Sequence, residues 1–322
     1  MRRLVPLAIL VLLAGSAEAR TQKGDGPYSL AAGYGAAWVG FGNGTVTRID
    51  AETLRPVSRR IGGGVTGFSI TSLAAGFGSI WAATSSTPVH RLDSRTGVVQ
   101  AAVGNQPGRW TGSGSLVATG SGFVWAVDYQ RNAIFRVSPR TNRIGRRLVL
   151  PHRLHGIAAG PAGVWVQTIP GRGAITGPEG PRIVSRLDGR TMRLRRAFRL
   201  ACDASLQPAG RSLWVLDNCT GDLRRFDART GRLGPAIETA PGAWGFARGF
   251  GSLWVSTGSS VRRIDPARRA VVARVEVDGQ FIVAGAGFLW VLHSDGTTGR
   301  LRRIHPATNR VVGRAIRLSA RQ

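Results

Sequence analysis

The sequence predicts an all-β fold, a seven-bladed β-propeller of four-stranded antiparallel blades, and three observations support this prediction. A glycine turn followed by an apolar strand centred on tryptophan recurs along the chain, as in GFGSIWAAT at 76–84 and GFGSLWVST at 249–257. The copies lie about 42 residues apart, and each interval contains turn signals for four short strands. Self-similarity at such a period is typical of repeat architectures, and four strands per repeat are typical of propeller blades.

The tryptophan motif occurs seven times, which sets the predicted number of blades. Its copies are centred on Trp38, Trp81, Trp125, Trp165, Trp214, Trp254 and Trp290. Successive tryptophans are separated by 43, 44, 40, 49, 40 and 36 residues. Successive side chains of a strand point to opposite faces of the sheet, and in this motif the side chains on both faces are apolar. We therefore expect both faces of the strand to be covered and the tryptophans to fill the gaps between sheets. A stacking role in ligand binding is the less favoured alternative.

The second repeat illustrates how turn chemistry separates the four strands, which we name A to D. Strand A is predicted over 71–75, strand B over 79–84, strand C over 89–93 and strand D over 98–103. The intervening segments contain Gly-Phe-Gly, Ser-Ser-Thr-Pro and Asp-Ser-Arg-Thr-Gly, all of them combinations that favour turns. Strand A of the first repeat starts near Tyr28 and strand D of the last ends near Leu318, so we expect each blade to be one continuous segment.

Every repeat has an arginine two residues before the turn that joins strands C and D. Examples are RLDSRTG at 91–97 and RFDARTG at 225–231. An aspartate that opens such a turn can accept backbone N–H bonds from residues further on. We interpret the arginines as a structural ladder rather than a binding site; they are Arg48, Arg91, Arg136, Arg186, Arg225, Arg263 and Arg303.

The first 19 residues have the features of a secretory signal peptide, so the predicted propeller domain covers residues 20–322. Two arginines precede an apolar run at 4–14, and Ala17-Glu18-Ala19 supplies a small-x-small end. The run is shorter than the about 20 residues that span a bilayer. We expect cleavage near Ala19, a secreted or periplasmic, cell-envelope location, and no membrane span.

The chain is strongly basic, with 44 Lys and Arg against 17 Asp and Glu and a formal net charge of +27. Removing the predicted signal peptide lowers the charge to +26. Such a charge indicates either polyanion binding or a compositional bias spread over a large surface. We favour the second interpretation because the arginines follow the repeat instead of forming runs. Export argues against a nucleic-acid partner, and we expect a monomer.

The repeats, with motifs such as GFGSLWV at 249–255 and RIHPATNRVV at 303–312, resemble the YVTN and YncE-like secreted propellers, and more distantly the virginiamycin B lyase (streptogramin lyase) family. The resemblance covers nearly all of the predicted mature chain. It implies a propeller scaffold, whose repeats say little about function. The lyase resemblance implies Mg²⁺-assisted ring opening of a macrocyclic lactone, carried out by a histidine on an inner strand and a glutamate near the end of the following strand B.

Two sets of equivalent positions are expected to meet at one mouth of the central channel, because strands A and B are antiparallel. Ten residues before the tryptophans stand Tyr28, Thr71, Ser115, His155, Ala204, Trp244 and Gln280. Three residues after them stand Phe41, Thr84, Asp128, Thr168, Asp217, Thr257 and His293. No repeat combines a histidine with a glutamate in these sets, although different blades could supply such a pair. Lyase activity, with His155 and His293 as candidate catalytic residues, is therefore the alternative rather than the leading hypothesis.

The leading hypothesis is a binding protein without chemistry of its own. Aromatic and hydrogen-bonding groups that converge on a channel mouth suit a small molecule, a peptide or a protein partner. The candidate ligand-binding residues are Tyr28, Arg109, Trp110, Asp128, Tyr129, His155, Asp217, Trp244, Gln280 and His293. Solvated loop tips around a water-filled channel are the alternative interpretation of these residues. A basic adhesion module for an anionic cell-envelope polymer is a further functional alternative.

No cofactor or metal is expected, except Mg²⁺ under the lyase alternative. The spacing of His152 and His155 occurs in metal sites, but no carboxylate or cysteine is adjacent in the sequence. We therefore interpret these residues as a polar loop. The insertion at 168–182 opens onto the same mouth, as a lid or as a tolerated insertion.

The only two cysteines, Cys202 and Cys219, are expected to form a disulfide. An even number of cysteines in an exported chain favours pairing. Strand A of the fifth repeat is predicted to enter through Cys202, and a two-residue turn at Gly210-Arg211 places Cys219 opposite it. The Cα atoms would be about 4.5 to 5.5 Å apart, within the reach of a disulfide. Two free thiols are the alternative.

Overall fold

The computed structural model describes residues 24–61, 69–85, 89–104, 116–171, 179–243 and 245–320, apart from the side chains at 179, 180 and 196. Within these ranges the chain forms 29 strands, which group into seven antiparallel sheets. None of these residues forms a helix that is long and apolar enough to cross a membrane. The prediction of a seven-bladed, all-β propeller is confirmed.

The first four blades each use four consecutive strands. Blade one contains β1 (Pro27–Gly33), β2 (Ala36–Phe41), β3 (Thr45–Asp50) and β4 (Pro56–Arg60). Blade two contains β5 (Ile70–Gly76), β6 (Ser79–Thr84), β7 (Val89–Asp93) and β8 (Val99–Val103). Blade three contains β9 (Val117–Gly120), β10 (Phe123–Asp128), β11 (Ala133–Val137) and β12 (Ile144–Val149). Blade four contains β13 (Arg153–Gly160), β14 (Gly163–Ile169), β15 (Glu179–Leu187) and β16 (Leu194–Cys202).

Blade five differs from the others because its outer strand is split into two short pieces that both pair with the third strand. It contains β17 (Ala204–Ala209), β18 (Ser212–Asp217), β19 (Asp222–Asp227), β20 (Arg232–Leu233) and β21 (Ile237–Glu238). Blade six contains β22 (Gly245–Gly249), β23 (Ser252–Ser256), β24 (Gly258–Asp265) and β25 (Ala270–Gly279). Blade seven contains β26 (Phe281–Gly285), β27 (Phe288–Ser294), β28 (Thr298–His305) and β29 (Arg310–Ser319).

The ring closes by packing between blades, without exchange of strands. The first strands of neighbouring blades contact each other all the way round, from β1 against β5 to β26 against β1. One hydrophobic cluster joins blades six, seven and one, with members such as Trp254, Val283 and Ala32. Each blade is one continuous segment, as predicted. In blade two the strand limits differ from the predicted ones by at most one residue.

The repeated tryptophans are core residues, as predicted. All seven are at most 7% exposed. Four of them donate an indole N–H bond of 3.0 to 3.2 Å to the carbonyl oxygen of the glycine five residues earlier: Trp81, Trp125, Trp254 and Trp290. The indole thereby satisfies its single polar group while its ring fills the space between sheets. The glycine turn and the tryptophan are therefore one structural unit, which explains why they recur together.

The glycine that ends strand A is needed where inner strands of adjacent blades approach most closely. A Cβ atom on Gly120 would lie 2.5 Å from the backbone nitrogen of Gly160 in the next blade. A Cβ atom on Gly285 would lie 2.8 Å from the carbonyl oxygen of Ala32, where blade seven meets blade one. Both distances are shorter than real Cβ contacts. The repeated Ala-Ala-Gly sequence at the end of strand A follows from this close approach.

The strand-C arginines connect successive blades. Arg91, Arg136 and Arg263 donate Nη1 bonds of 2.8 to 2.9 Å to carbonyl oxygens in the C–D turn of the following blade. Arg303 does the same to Ala51, which joins blade seven to blade one. Each of these guanidinium groups also lies over an aromatic ring of its own blade, between 4.3 and 5.4 Å from the ring centroid. The predicted structural ladder is thus present, as a set of links between blades.

The remaining three arginines of the ladder bond within their own blades. Arg48 contacts Asp50 at 3.3 Å, Arg186 donates to the carbonyl oxygen of Ala162, and Arg225 donates to the hydroxyl of Ser212. The ladder therefore carries inter-blade bonds at four of the seven positions. The A–B and C–D turns together form one face of the ring, which we call the turn face.

Candidate functional site

The opposite face, where strand A begins and strand B ends, is the candidate site, and we call it the mouth face. Strand pairing brings the two predicted sets of residues together at this end of the sheets. Leu154 pairs with Thr168, Ala204 pairs with Asp217, and Phe281 pairs with Leu292, next to Gln280 and His293. The prediction that both sets emerge on one face is confirmed for the blades in which both members are described.

Exposure divides the predicted ligand-binding residues into two groups. Half-exposed positions on the mouth face are Tyr28, Tyr129, Asp217, Gln280 and His293. Asp128 and His155 are buried, with exposures of 0% and 5%. Arg109, Trp110 and Trp244 lie outside the residues that the structure describes. The side chains of the first group reach solvent, whereas those of the second group do not.

His155 has a carboxylate partner that comes from the next blade. Its Nε2 atom lies 2.8 Å from Oδ1 of Asp203, although the two groups are not aligned as a hydrogen bond. Asp203 occupies the junction between β16 and β17 and is 6% exposed. The carboxylate that the sequence around His152 and His155 lacks is therefore supplied across the blade boundary.

Asp203 is the centre of a buried polar group that we call the Asp203 cluster, consisting of His155, Gln167, Arg182 and Asp203. Oδ1 of Asp203 accepts bonds from Nε2 of Gln167 at 3.0 Å and from its neighbour's backbone N–H at 2.8 Å. Nε of Arg182 lies 3.8 Å from the same oxygen, and its side chain is 2% exposed. Because buried charges are costly without partners, these residues stabilise one another's burial.

A sequence signal for Asp203 existed and was missed. Asp203 stands eleven residues before the repeat tryptophan, immediately before the mouth-face set. The other six repeats have apolar or small residues at this position: Pro27, Ile70, Gly114, Leu154, Ala243 and Gly279. A charged residue at an otherwise apolar repeat position marks a buried carboxylate that needs partners, and the adjacent blade supplies them.

A second, half-exposed polar group lies at the junction of blades six and seven. Asp278 contacts Nδ1 of His293 at 3.5 Å, Nη2 of Arg300 at 3.4 Å and Nη1 of Arg302 at 3.1 Å. We call these four residues the Asp278 cluster. Their side chains are 28% to 49% exposed. The sequence predicted only His293 among them, since the other three lie outside the two compared sets.

Beside this cluster, Gln280 fixes the start of the inner strand of blade seven. Its Oε1 atom accepts the backbone N–H of Ser294 at 3.0 Å, and its Nε2 atom donates to the carbonyl oxygen of Ser294 at 3.3 Å. The two bonds hold strands β26 and β27 together at the mouth. Gln280 therefore positions His293, which immediately precedes Ser294.

The disulfide between Cys202 and Cys219 is present, with Cα atoms 6.3 Å apart. The predicted register is confirmed, because Ala204 pairs with Asp217 and the ladder continues to the two-residue turn at Gly210-Arg211. Strand A does not begin at Cys202, however, since this residue ends β16. Both cysteines thus lie just beyond the ladder, which explains why their Cα atoms are further apart than in a directly opposed pair.

Among the described residues, one group of three ligand-type side chains lies close enough together to hold a metal ion: Cys202, Asp217 and Cys219. Both sulfur atoms belong to the disulfide, so one carboxylate remains. Mg²⁺ prefers an octahedral set of oxygen ligands, which this group does not supply.

A cavity of about 390 Å³ lies on the turn face, between blades six and seven. It is lined mainly by the A–B turns, including Gly249, Phe250, Gly251, Gly285 and Ala286. Specific ligand sites combine an apolar lining with a few placed polar groups. Since this lining consists mostly of glycine and apolar residues, with Arg248 and Ser252 as its polar side chains, we place the candidate site on the mouth face instead.

Comparison with known proteins identifies the fold and no closer relationship. No family model and no curated protein matches the chain. The WD40 domain of Pan2 from Neurospora crassa is similar in structure, with a TM-score of 0.63 and 11% identity over 92% of this chain and 95% of that one. The computationally designed Ika8 protein has a TM-score of 0.61 and 12% identity over 88% and 98% of the respective chains. These similarities show a propeller fold, and the resemblance to the YVTN, YncE-like and lyase families is not confirmed.

Proposed function

We propose that this propeller is an exported binding protein that holds a small molecule, a peptide or a protein partner on its mouth face. The observation that carries the proposal is the contrast between the two faces of the ring. Towards the turn face, the strand-C arginine recurs in all seven repeats and an aspartate opens five of the seven C–D turns, and these residues bond within the molecule. On the mouth face, equivalent positions differ from blade to blade.

The seven repeats allow each position to be compared within a single chain. A residue that the scaffold requires recurs, as the tryptophans and strand-C arginines do. At the start of strand A the repeats instead have Tyr, Thr, Ser, His, Ala, Trp and Gln. A scaffold alone has no need for such variety. A ligand without sevenfold symmetry does, because it needs different contacts from each blade.

The Asp278 cluster gives this face groups that a ligand can contact. Its two guanidinium groups and its imidazole each contact the carboxylate of Asp278 at 3.1 to 3.5 Å, and all four side chains are 28% to 49% exposed. Half-exposed ion pairs in water hold together weakly. A polar ligand can therefore replace one of these contacts at little cost in free energy.

The proposal of export depends on the signal-peptide prediction and is supported by the disulfide. Disulfides persist in oxidising compartments and are rare in the cytosol. The bond joins Cys202, at the end of blade four, to Cys219 on the mouth face of blade five. It therefore ties the connection between two blades to the proposed binding surface.

The test uses two histidines of blade seven that lie on opposite faces. His293 belongs to the mouth face and His305 to the turn face, and both are half-exposed. Wild-type protein would be screened by thermal shift against small molecules and peptides, and purified protein would be examined by native mass spectrometry for bound compounds. A hit that binds the folded state stabilises it by RT ln(1 + L/Kd), where L is the concentration of the free compound, so the shift grows with that concentration.

We expect H293A to abolish the shift produced by a hit, and H305A to retain it. W244A tests a second residue that the sequence predicts on the mouth face and that lies outside the described residues; we expect it to weaken binding without lowering the melting temperature of the unliganded protein. If H305A and H293A lose the shift equally, or if neither does, the mouth face is not the binding surface. Loss of folding in W244A would instead identify Trp244 as a core residue.

The lyase alternative has one observation in its favour, the pairing of His155 with Asp203. Both side chains are buried, however, and a proton-transfer pair must be within reach of its substrate. The structure therefore supports this alternative less than binding. Its test is turnover of a macrocyclic lactone, with and without Mg²⁺, by wild-type protein and by D203N. Turnover that D203N abolishes would replace the binding proposal.

A further inference from the structure

The outer strands of the blades carry a band of exposed arginines around the circumference of the ring. Eleven exposed arginines lie on these strands: Arg59, Arg60, Arg146, Arg147, Arg195, Arg199, Arg232, Arg274, Arg310, Arg314 and Arg317. The exposed carboxylates on the same strands are Glu238 and Glu276. Arg274 forms an ion pair with Glu276 at 2.6 Å. The other ten arginines have no acidic partner among the residues that the structure describes.

Protection of sheet edges explains part of this band. The outer strand of each blade is an edge, and charged side chains on an edge discourage pairing with other chains. The outer strand of blade two, Val99–Val103, nevertheless has no arginine, so a charge is not required at every edge. Edge protection also does not explain why five of the eleven arginines lie on the adjacent outer strands of blades seven and one.

These two strands enclose a groove. It has a volume of about 450 Å³ and is lined by Leu54, Pro56 and Ser58 of blade one and by Arg314 to Arg317 of blade seven. Arg60 continues the blade-one side and Arg310 precedes the blade-seven side, whereas the side chain of Arg59 lies near Gly97 of blade two. We call the groove and Arg60, Arg310, Arg314 and Arg317 the arginine groove. It combines a concave surface with a local excess of positive charge.

We propose that the arginine groove binds a linear phosphodiester polymer of the cell envelope. The planar guanidinium group matches a phosphate in its hydrogen-bond geometry and remains charged at all accessible pH values. Several arginines along two strands suit a chain that carries one charge per repeating unit. The formal net charge of +27 attracts such a chain from a distance.

The predicted export of the protein selects among phosphodiester polymers. An exported protein meets polymers of the envelope, whereas nucleic acids remain inside the cell. The groove lies on the circumference of the ring between blades seven and one, whereas the Asp278 cluster lies between blades six and seven. Binding at the groove does not require the function proposed for the mouth face and can coexist with it.

The test compares two fourfold variants with the same change in charge. The groove variant is R60Q/R310Q/R314Q/R317Q, and the control variant on blades three and four is R146Q/R147Q/R195Q/R199Q. The probe is fluorescently labelled poly(glycerol phosphate), and its binding is followed by anisotropy over a series of salt concentrations. Circular dichroism and thermal unfolding check that both variants keep the fold, which is expected because all eight side chains are exposed.

Released counterions make the affinity of the wild-type protein fall steeply with salt. The groove variant loses four phosphate contacts, and each contact contributes about 0.7 to the slope of log affinity against log salt. We therefore expect the slope of the groove variant to be shallower than that of the wild-type protein by about 3. At about 0.1 M salt this corresponds to a loss of affinity of several hundredfold. The control variant is expected to keep most of the affinity and nearly the wild-type slope.

Equal losses in the two variants would overturn the proposal, since they would show a response to overall charge alone. Absence of salt-dependent binding by the wild-type protein would overturn it as well. Tighter binding to anionic lipid vesicles or to single-stranded DNA than to poly(glycerol phosphate) would overturn the assigned polymer class. If the fourfold variant fails to fold, R60Q/R310Q and R314Q/R317Q are tested separately, and each is expected to reduce the slope by about 1.5.

Discussion

At the scale of single residues, Asp203 shows how a buried carboxylate organises a blade boundary. It lies between blades four and five, and one of its oxygens contacts an imidazole, a guanidinium, an amide and a backbone N–H. Burial of Arg182 at 2% exposure depends on this negative charge. Removal of one partner of a buried charge pair generally costs more than the pair contributes, because the remaining charge stays desolvated.

We expect D203A to lower the free energy of unfolding by about 3 kcal/mol, because Arg182 and His155 lose the carboxylate that they face. Urea denaturation of wild-type and variant protein measures the difference. The matched control is D222A, which removes a carboxylate 3.0 Å from Arg224 in an exposed pair of blade five. Such pairs contribute about 1 kcal/mol or less. Equal effects of the two substitutions would show that the Asp203 cluster is not a buried charge network.

At the scale of elements, the blades are joined on the turn face by arginines that recur with the repeat. Arg303 is the most consequential of these residues, because it connects the last blade to the C–D turn of the first. Its guanidinium group also lies 4.3 Å from the ring centroid of Phe288. Both contacts depend on a planar cation with several donors, a property that lysine does not share.

We expect R303A to lower the free energy of unfolding by about 2 kcal/mol, from the loss of a charged hydrogen bond and a cation–π contact. R303K retains the charge, but we expect it to recover less than half of this loss. The control is R268A, in the equivalent turn of blade six, whose side chain is 78% exposed; it should change stability by less than about 0.5 kcal/mol. Full recovery in R303K would show that charge alone closes the ring.

The disulfide links two elements, the end of β16 and the turn after β18. It closes a short loop with a sequence separation of 17, and in the chain-entropy model we expect its reduction to lower stability by about 3 kcal/mol. Intact-mass measurement with and without reductant, together with chemical denaturation, tests this. The double variant C202A/C219A should match the reduced protein and be insensitive to reductant. Alkylation at two positions before reduction would contradict the bond.

At the scale of the whole molecule, one type of turn is used around the ring. Aspartates that open turns in several blades accept backbone N–H bonds from the residues that follow, and these bonds lower the pKa of the carboxyl groups of Asp50, Asp93, Asp188, Asp265 and Asp295. The pKa falls from 3.8 to about 2 for Asp50, mainly through the backbone N–H of Thr53, and for Asp295, mainly through that of Thr298. Folding thus favours the charged form of these aspartate carboxyl groups in several blades.

A lowered pKa contributes stability above the unfolded value, and this contribution disappears as the pH falls towards the folded value. We therefore expect the free energy of unfolding to decrease steadily as the pH is lowered from about 4 to about 2. Urea denaturation at a series of pH values measures the slope. In D50N the side chain still accepts the turn bonds but no longer titrates, so the slope should become shallower. A stability that does not change over this range would contradict the role of these turns.

The sequence by itself determined the architecture of this protein. The spacing of the tryptophans, the turn residues and the alternation within strand B are local properties, and they sufficed for the number of blades, the strand limits and the register around Gly210-Arg211. Repetition also identified the core and the strand-C arginines, because a scaffold that repeats must repeat the residues that hold it together.

Only the tertiary structure decided which side chains meet between blades. Asp203 is 48 residues from His155 in the chain, and Asp278 is 22 residues from Arg300, so no local pattern relates them. These contacts form because radial packing brings the end of one repeat against the start of the next. Burial was likewise a tertiary outcome: His155 and His293 occupy the two mouth-face sets, yet neighbouring blades cover His155 and leave His293 half-exposed. A repeat sequence specifies the blade, but the contacts of a polar side chain at its edge depend on which blade lies beside it.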